Sequence, residues 1–206
     1  WAVPVQPPLA QQVAMTANPP TMVLGQDSSA TITIQLAGGA PPAAAETELM
    51  VSASSGALSN ITPLGGGQFT ALYTPPADQF PHLAMLTIAD RRDPTRTYGA
   101  LVVPLVGKAN FPVVGLPNSR VIMKVGDREF GPIQSDATGK AAVPIVVPPG
   151  VSTANIISVL GDKKVEQPID LQVPATQRVR LFPTHKALGA DPALSVPVRA
   201  FVAKKT

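Results

Sequence analysis

Proline and glycine recur so often along this chain that a long helix has almost nowhere to run: 206 residues carry 24 prolines and 16 glycines. Proline removes a backbone donor and clashes with the preceding turn, and an interior glycine costs a helix about 1 kcal/mol against alanine. The longest stretches free of both are either alanine-rich or alternate like strands, and no window sustains a helical apolar period. The alternation is plain in SSATITIQL, where Ala30, Ile32, Ile34 and Leu36 oppose Thr31, Thr33 and Gln35. It recurs in TELMVSAS (Leu49, Val51, Ala53), QFTALYT (Phe69, Ala71, Tyr73), LAMLTIA and YGALVVPLV. Short strands separated by turn chemistry every ten or so residues predict an antiparallel β-sandwich.

The second half repeats this pattern in SRVIMKV (Val121, Met123, Val125), KAAVPIVVP, NIISVL, PIDLQV (Ile169, Leu171, Val173), RVRLF and SVPVRAFVA. The hairpin SDATGKAAVPIVVPPG shows how turn and strand are written together. Asp136 can accept a backbone hydrogen bond two residues on, and Gly139 can take a positive φ without a Cβ clash, so DATG reverses the chain. Val143, Ile145 and Val147 then share one strand face. Pro144 cannot donate to a ladder, which predicts an edge strand or a bulge. An Asx-type turn accounts for Asp136 without a calcium or catalytic role.

At 206 residues the chain is about twice a small sandwich, so two domains are expected: a proline-rich lead-in over 1–13, a sandwich over 14–107 and a second over 108–206. The junction VGKANFP is too short for a floppy tether, so the two should hold a restricted angle. Residues 175–206 either complete the second domain or begin a third unit. The chain opens on Trp1 without an initiator methionine, and so is read as a mature form or a fragment.

Several chemistries find no residues to carry them. Without cysteine there are no disulfides, thiolate metal sites or thiol nucleophiles. The most apolar segment, GALVVPLVG, is about half a membrane helix in length and contains Pro104, so no membrane-spanning helix is expected. The histidines, His82 and His185, lie beside proline or in a loop, and neither G-x-S-x-G nor H-E-x-x-H occurs; no catalytic residue and no cofactor are expected. In DRRDP, Arg91 and Arg92 stand between Asp90 and Asp93 and oppose a dication, so no metal is expected and an exposed turn is the better account. Aromatics make up 4% of the chain; Phe69, Tyr73 and Phe130 fall in core registers, which leaves Trp1, Phe80 and Tyr98 as candidate surface rings and gives a lectin little to work with. A nucleic-acid partner is not expected either, because the basic excess lacks interleaved aromatics.

That excess is uneven. The net charge is +3, but residues 1–107 carry six acidic against three basic groups, while from Ala175 onward Arg178, Arg180, Lys186, Arg199, Lys204 and Lys205 face Asp191 alone. Arg178 and Arg180 fall on the face opposite Val179 and Leu181, and Arg199 joins them if the two strands are neighbours. Such a face suits phosphate or carboxylate groups, while solvated outer-strand charges are the plainer account.

The succession DSSATITIQL, SASSGALSN, GGGQFTALYTPP and LAMLTIA, over Ala14 to Gly107, resembles the bacterial Ig-like repeats of invasin- and intimin-type surface proteins. SDATGKAAVPIVVPPG, within Asn110 to Val173, is similar to the T-D-x-x-G-x-A hairpin of such repeats and of transthyretin-like and carboxypeptidase-regulatory-like sandwiches. The closing ALGADPALSVPVRAFV resembles the opening of a further repeat. The resemblance implies tandem Ig-like sandwiches in an extracytoplasmic, envelope or cell-surface protein. It implies a non-catalytic spacer and adhesion module whose partner is a protein or a surface polysaccharide. Two other roles stay open: a subunit of an envelope secretion or motility assembly, and the accessory β-domains of a larger enzyme.

Overall fold

The computed structural model describes residues 11–36, 49–59, 61–91, 97–174, 176–183 and 198–205, the last two segments by their backbone pairing. The regular elements are all strands: β1 (Gln11–Asn18), β2 (Met22–Val23), β3 (Ala30–Leu36), β4 (Leu49–Ala53), β5 (Ala57–Leu58), β6 (Thr62–Gly65), β7 (Gln68–Thr74) and β8 (His82–Asp90) come first. They are followed by β9 (Thr97–Val114), β10 (Arg120–Val125), β11 (Arg128–Gln134), β12 (Lys140–Val147), β13 (Thr153–Leu160), β14 (Lys163–Asp170), β15 (Thr176–Pro183) and β16 (Val198–Lys205). Among the described residues no helix is long and apolar enough to cross a membrane.

The first sandwich sets β1–β3–β7–β5 against β4–β8–β9, with β6 sharing β7. β2 pairs in parallel with β9 and adds a short strand to that layer, and the two facing layers form an Ig-like β-sandwich. β1 joins the layers: Gln11 and Gln12 pair in parallel with Thr97 and Tyr98 of β9, and then Val13–Asn18 pair antiparallel with β3. Gly99 permits that crossing, because a Cβ there would lie 2.7 Å from the Val13 carbonyl oxygen. The alternation read in the sequence decides the core. Ile32, Ile34, Phe69 and Tyr73 from one layer meet Leu86, Ile88, Val103 and Leu105 from the other, all buried.

The second sandwich is built on the same β9. Its first half pairs with β8 from Tyr98 to Leu105, and its second half pairs with β12 from Gly107 to Val114. The segment VGKANFP thus lies inside one continuous strand of 18 residues. Beneath β9 and β12 lies the sheet β11–β10–β13–β14, and the buried core is Val113, Val121, Met123, Val125, Val143, Ile145, Val147, Ala154, Ile156 and Leu171. β14 ends at Asp170 and starts at Lys163, earlier than PIDLQV suggests. Its residues from Lys163 to Pro168 are exposed and mostly polar, so alternation gave no sign of a strand there. It exists because β13 supplies a ladder from Thr153↔Asp170 to Leu160↔Lys163.

Proline marks the free edges. In a strand, the N–H and C=O of one residue point to the same side and alternate along the chain. The Val106 carbonyl accepts from Leu24 N–H at 2.9 Å, on the β2 side, while Gly115 N–H donates to the Gly139 carbonyl at 2.8 Å, on the β12 side. Pro112 shares the parity of Val106, so its missing donor lies on the edge away from β12. Pro144, set opposite Asn110, likewise turns its missing donor away from β9. Pro63 in β6, Pro132 in β11 and Pro168 in β14 stand on other outer strands. A proline costs least at an edge, and there it blocks pairing with another chain.

The two faces of a strand should answer differently to truncation. Leu105→Ala, which opens a cavity in the first core, is expected to lower unfolding stability by about 2–5 kcal/mol, whereas Thr31→Ala on the exposed face should cost less than about 1 kcal/mol. Urea denaturation of both variants measures this, and equal losses would contradict the assigned register.

Candidate functional site

The hairpin from Ser135 to Lys140 is the most densely bonded loop described. Asp136 Oδ1 accepts from the Thr138 amide at 2.8 Å, the Thr138 hydroxyl at 2.7 Å and the Lys140 amide at 2.9 Å. The Thr138 hydroxyl, and after it the Lys140 amide, hold the Asp136 carboxyl below the usual aspartate range. Gly139 has φ +84°, and a Cβ there would collide with the Gly115 carbonyl oxygen, so both backbone conformation and space require glycine. Behind the turn, the buried Ser135 hydroxyl accepts from the Ser119 amide at 2.8 Å and donates to the Leu116 carbonyl at 2.7 Å. This second link ties the hairpin to the segment leaving β9. The carboxylate's bonds therefore serve the turn. Among the described residues, no group of three or more His, Asp or Glu could hold a metal ion.

A second cluster has no counterpart in the sequence motifs. His82 Nδ1 lies 2.8 Å from the Phe80 carbonyl and Nε2 lies 2.8 Å from Ser55 Oγ. A carbonyl has no proton to give, so Nδ1–H donates and the Ser55 hydroxyl donates to Nε2. The Ser55 carbonyl in turn accepts from the buried Tyr73 hydroxyl at 2.9 Å. Serine and histidine are 27 positions apart, and antiparallel pairing brings them together. The histidine's other partner is a backbone carbonyl, and the serine's own backbone is held by tyrosine. The chemistry is that of a latch joining the Ser54–Gly56 turn to β7 and β8. Burial pushes the Tyr73 phenol up from 10.0 to about 12.

The remaining candidates are spread over the molecule. β15 and β16 pair antiparallel, placing Arg178 opposite Ala203, Arg180 opposite Phe201 and Arg199 opposite Phe182, while the side chains of these arginines lie outside the described residues. His185, Trp1, Arg92 and Asp93 also lie outside them. Asp90 closes β8, and both it and Arg91 are engaged with neighbours. Phe80 is exposed, Tyr98 is half-buried, and Phe69, Tyr73 and Phe130 pack in or against the cores. Where β9 leaves the first sandwich, an open groove runs past Leu24, Gln26, Gln79, Lys108 and Asn110, with the Lys108 ammonium 3.3 Å from Gln26 Oε1.

No family model and no curated protein matches the chain. Among solved structures, it is similar to the adhesin InvE of Yersinia pseudotuberculosis, at 12% identity and a TM-score of 0.38, covering 77% of this chain and 58% of that one. It is also similar to InvD of the same organism, at 15% identity and a TM-score of 0.36, covering 82% of this chain and 62% of that one. A third is the titin z1z2 pair in complex with telethonin, at 10% identity and a TM-score of 0.25, covering 79% and 92%. The chain thus spans less than two thirds of either Yersinia structure.

Two measurements test these clusters. Gly139→Val should destabilise the second sandwich by more than about 1 kcal/mol, since a branched side chain is forced into left-handed backbone. Asp136→Asn keeps the acceptor but not the charge, so at neutral pH it should lose only the share of the turn's stability that depends on ionisation. The native carboxylate stays charged to lower pH than in the unfolded chain, so its contribution is full at neutral pH and is lost as acid protonates it. Thermal melts from pH 7 downward should therefore fall less steeply for Asp136→Asn than for the native chain.

Tyr73 has the opposite sign. Its phenol keeps its proton in the fold to about pH 12, so its stabilising term is full below pH 10.0 and lost as pH rises through about 12. Alkaline melts should show that loss in the native chain and its absence in Tyr73→Phe. The same slope in both would place the alkaline transition elsewhere.

Proposed function

We propose that this chain is a non-catalytic segment of a bacterial envelope or cell-surface protein, a stiff spacer that also presents an adhesive or protein-binding surface. The observation that carries the reading is β9, which runs unbroken from the layer β4–β8–β9 into its ladder with β12. A hinge between the sandwiches would have to break that strand. The expected division at 107/108 falls within it, so the two units are separate cores on a shared strand. Edge prolines fit the same role, because a surface-exposed spacer must avoid pairing with its own copies. The resemblance to invasin- and intimin-type repeats supplies the extracytoplasmic location. Hydroxyl, imidazole and carboxylate groups engaged in latches and turns support a role without catalysis.

The binding surface is assigned to Arg178, Arg180 and Arg199. Antiparallel pairing of β15 with β16 makes neighbours of the strands that carry them. Guanidinium can engage carboxylate or phosphate bidentately, which suits an acidic surface polysaccharide or an acidic protein strand. Retention on immobilised heparin tests this. The native chain should elute at higher salt than the Arg178→Gln, Arg180→Gln, Arg199→Gln triple variant, and the difference should shrink as salt rises, because exposed charges are screened over about 8 Å at physiological ionic strength. Equal elution would remove the arginines from the reading.

A further inference from the structure

The outer strands of the two sandwiches are not equally guarded. β6, β11, β12 and β14 each carry a proline. Apart from β2 and β5, which are two residues each, β4 is the outer strand without one, and its residues LMVSA bear no charge. Among the described residues β4 ends its sheet and pairs with β8 alone. Ser54 N–H donates to the Met85 carbonyl at 2.8 Å, so Ser52 and Met50, of the same parity, turn their backbone groups toward β8. Leu49, Val51 and Ala53 therefore turn their N–H and C=O groups to the open edge.

The side chains of those three residues tell the same story. They pack against the first core yet stay partly exposed, while Leu86 and Ile88, opposite Ala53 and Val51 on β8, are 0% and 2% exposed. A strand added at β4 would take the free backbone groups and cover the rest of Leu49 and Val51. The strand fits its own copy. In an antiparallel pair centred on Val51, Leu49 meets Ala53 of the second copy, large against small, Met50 meets Ser52, and no like charges within the strand face each other. The prolines on the other outer strands then limit the assembly: one open edge per chain closes on a two-fold axis, whereas a second open edge would let pairing run on.

We propose that the β4 edge is a homodimer interface, in which β4 pairs antiparallel with β4 of a second copy about a two-fold axis at Val51 and joins two β4–β8–β9 layers into one sheet. The interface goes beyond the spacer and polysaccharide readings and rests on neither, since it needs no anion and no other partner.

Two measurements on the full chain test it. Sedimentation of the native chain over a series reaching about 1 mM should show a reversible monomer–dimer equilibrium and no larger species. The chain has no cysteine, so Val51→Cys places a single thiol per copy at the two-fold centre. Opposed residues of a hydrogen-bonded pair have Cα atoms about 5.5 Å apart, within reach of a disulfide. With oxidised glutathione as the acceptor of the two electrons, Val51→Cys should form a disulfide-linked dimer at least about tenfold faster than Thr31→Cys, whose thiol sits on the exposed face of β3. A native chain that stays monomeric through the series overturns the proposal whatever the variant does. So does assembly beyond two copies, or a dimer in which folded Val51→Cys links no faster than the control, which would put the contact on another surface.

Discussion

One strand serves two hydrophobic cores. β9 contributes Val103 and Leu105 to the first and Val113 to the second, and its ladder passes from β8 to β12 across Val106. Because a strand is stiff only while its backbone groups are paired, the exchange of partners must occur without a gap. His82↔Leu105 is followed two residues on by Val147↔Gly107. Gly107 stands where the chain from Gln79 to Pro81 passes close by, leaving little room for a side chain. The relation between the sandwiches thus follows from a hydrogen-bond ladder.

Closing a sandwich on a shared strand leaves edges exposed, and the chain manages them with proline. Proline ruled out long helices and, by the same missing donor, marks outer strands once the sheets have formed. Pro112 and Pro144 show this most directly, since the side of the strand on which each missing N–H falls can be read from neighbouring bonds. The Val114 carbonyl on the same edge as Pro112 accepts from the Gln167 side chain at 3.0 Å. That edge is capped as well as interrupted.

Two described clusters that would ordinarily suggest chemistry also brace the fold. A serine beside a histidine holds a turn against two strands, and an aspartate accepting three hydrogen bonds from its own loop leaves that loop self-contained. The outer faces of the first sandwich differ: the outward positions of β3 and β7 are threonine and glutamine with the exposed Leu72, those of β8 and β9 are mostly apolar, and the arginine positions belong to a ribbon near the end of the given sequence.

Local chemistry made much of this legible in advance. Period-two alternation identified the buried sides of β3, β7, β10 and β12, because burial on one face of a pleated strand forces that pattern, and the Asp136 and Gly139 turn follows from side-chain reach and positive φ. The polar edge strand β14 was not legible, since its pairing is supplied by β13 and not by its own residues. Nor was the meeting of Ser55 with His82, because only antiparallel register brings residues so distant in sequence within a hydrogen bond. The sequence by itself determined an all-β chain with its apolar faces and turns, because these depend on neighbours along the chain. Which strands became neighbours, and that one strand would carry both cores, was decided by tertiary packing, because ladder pairing and sheet stacking join residues whose separation no local pattern records.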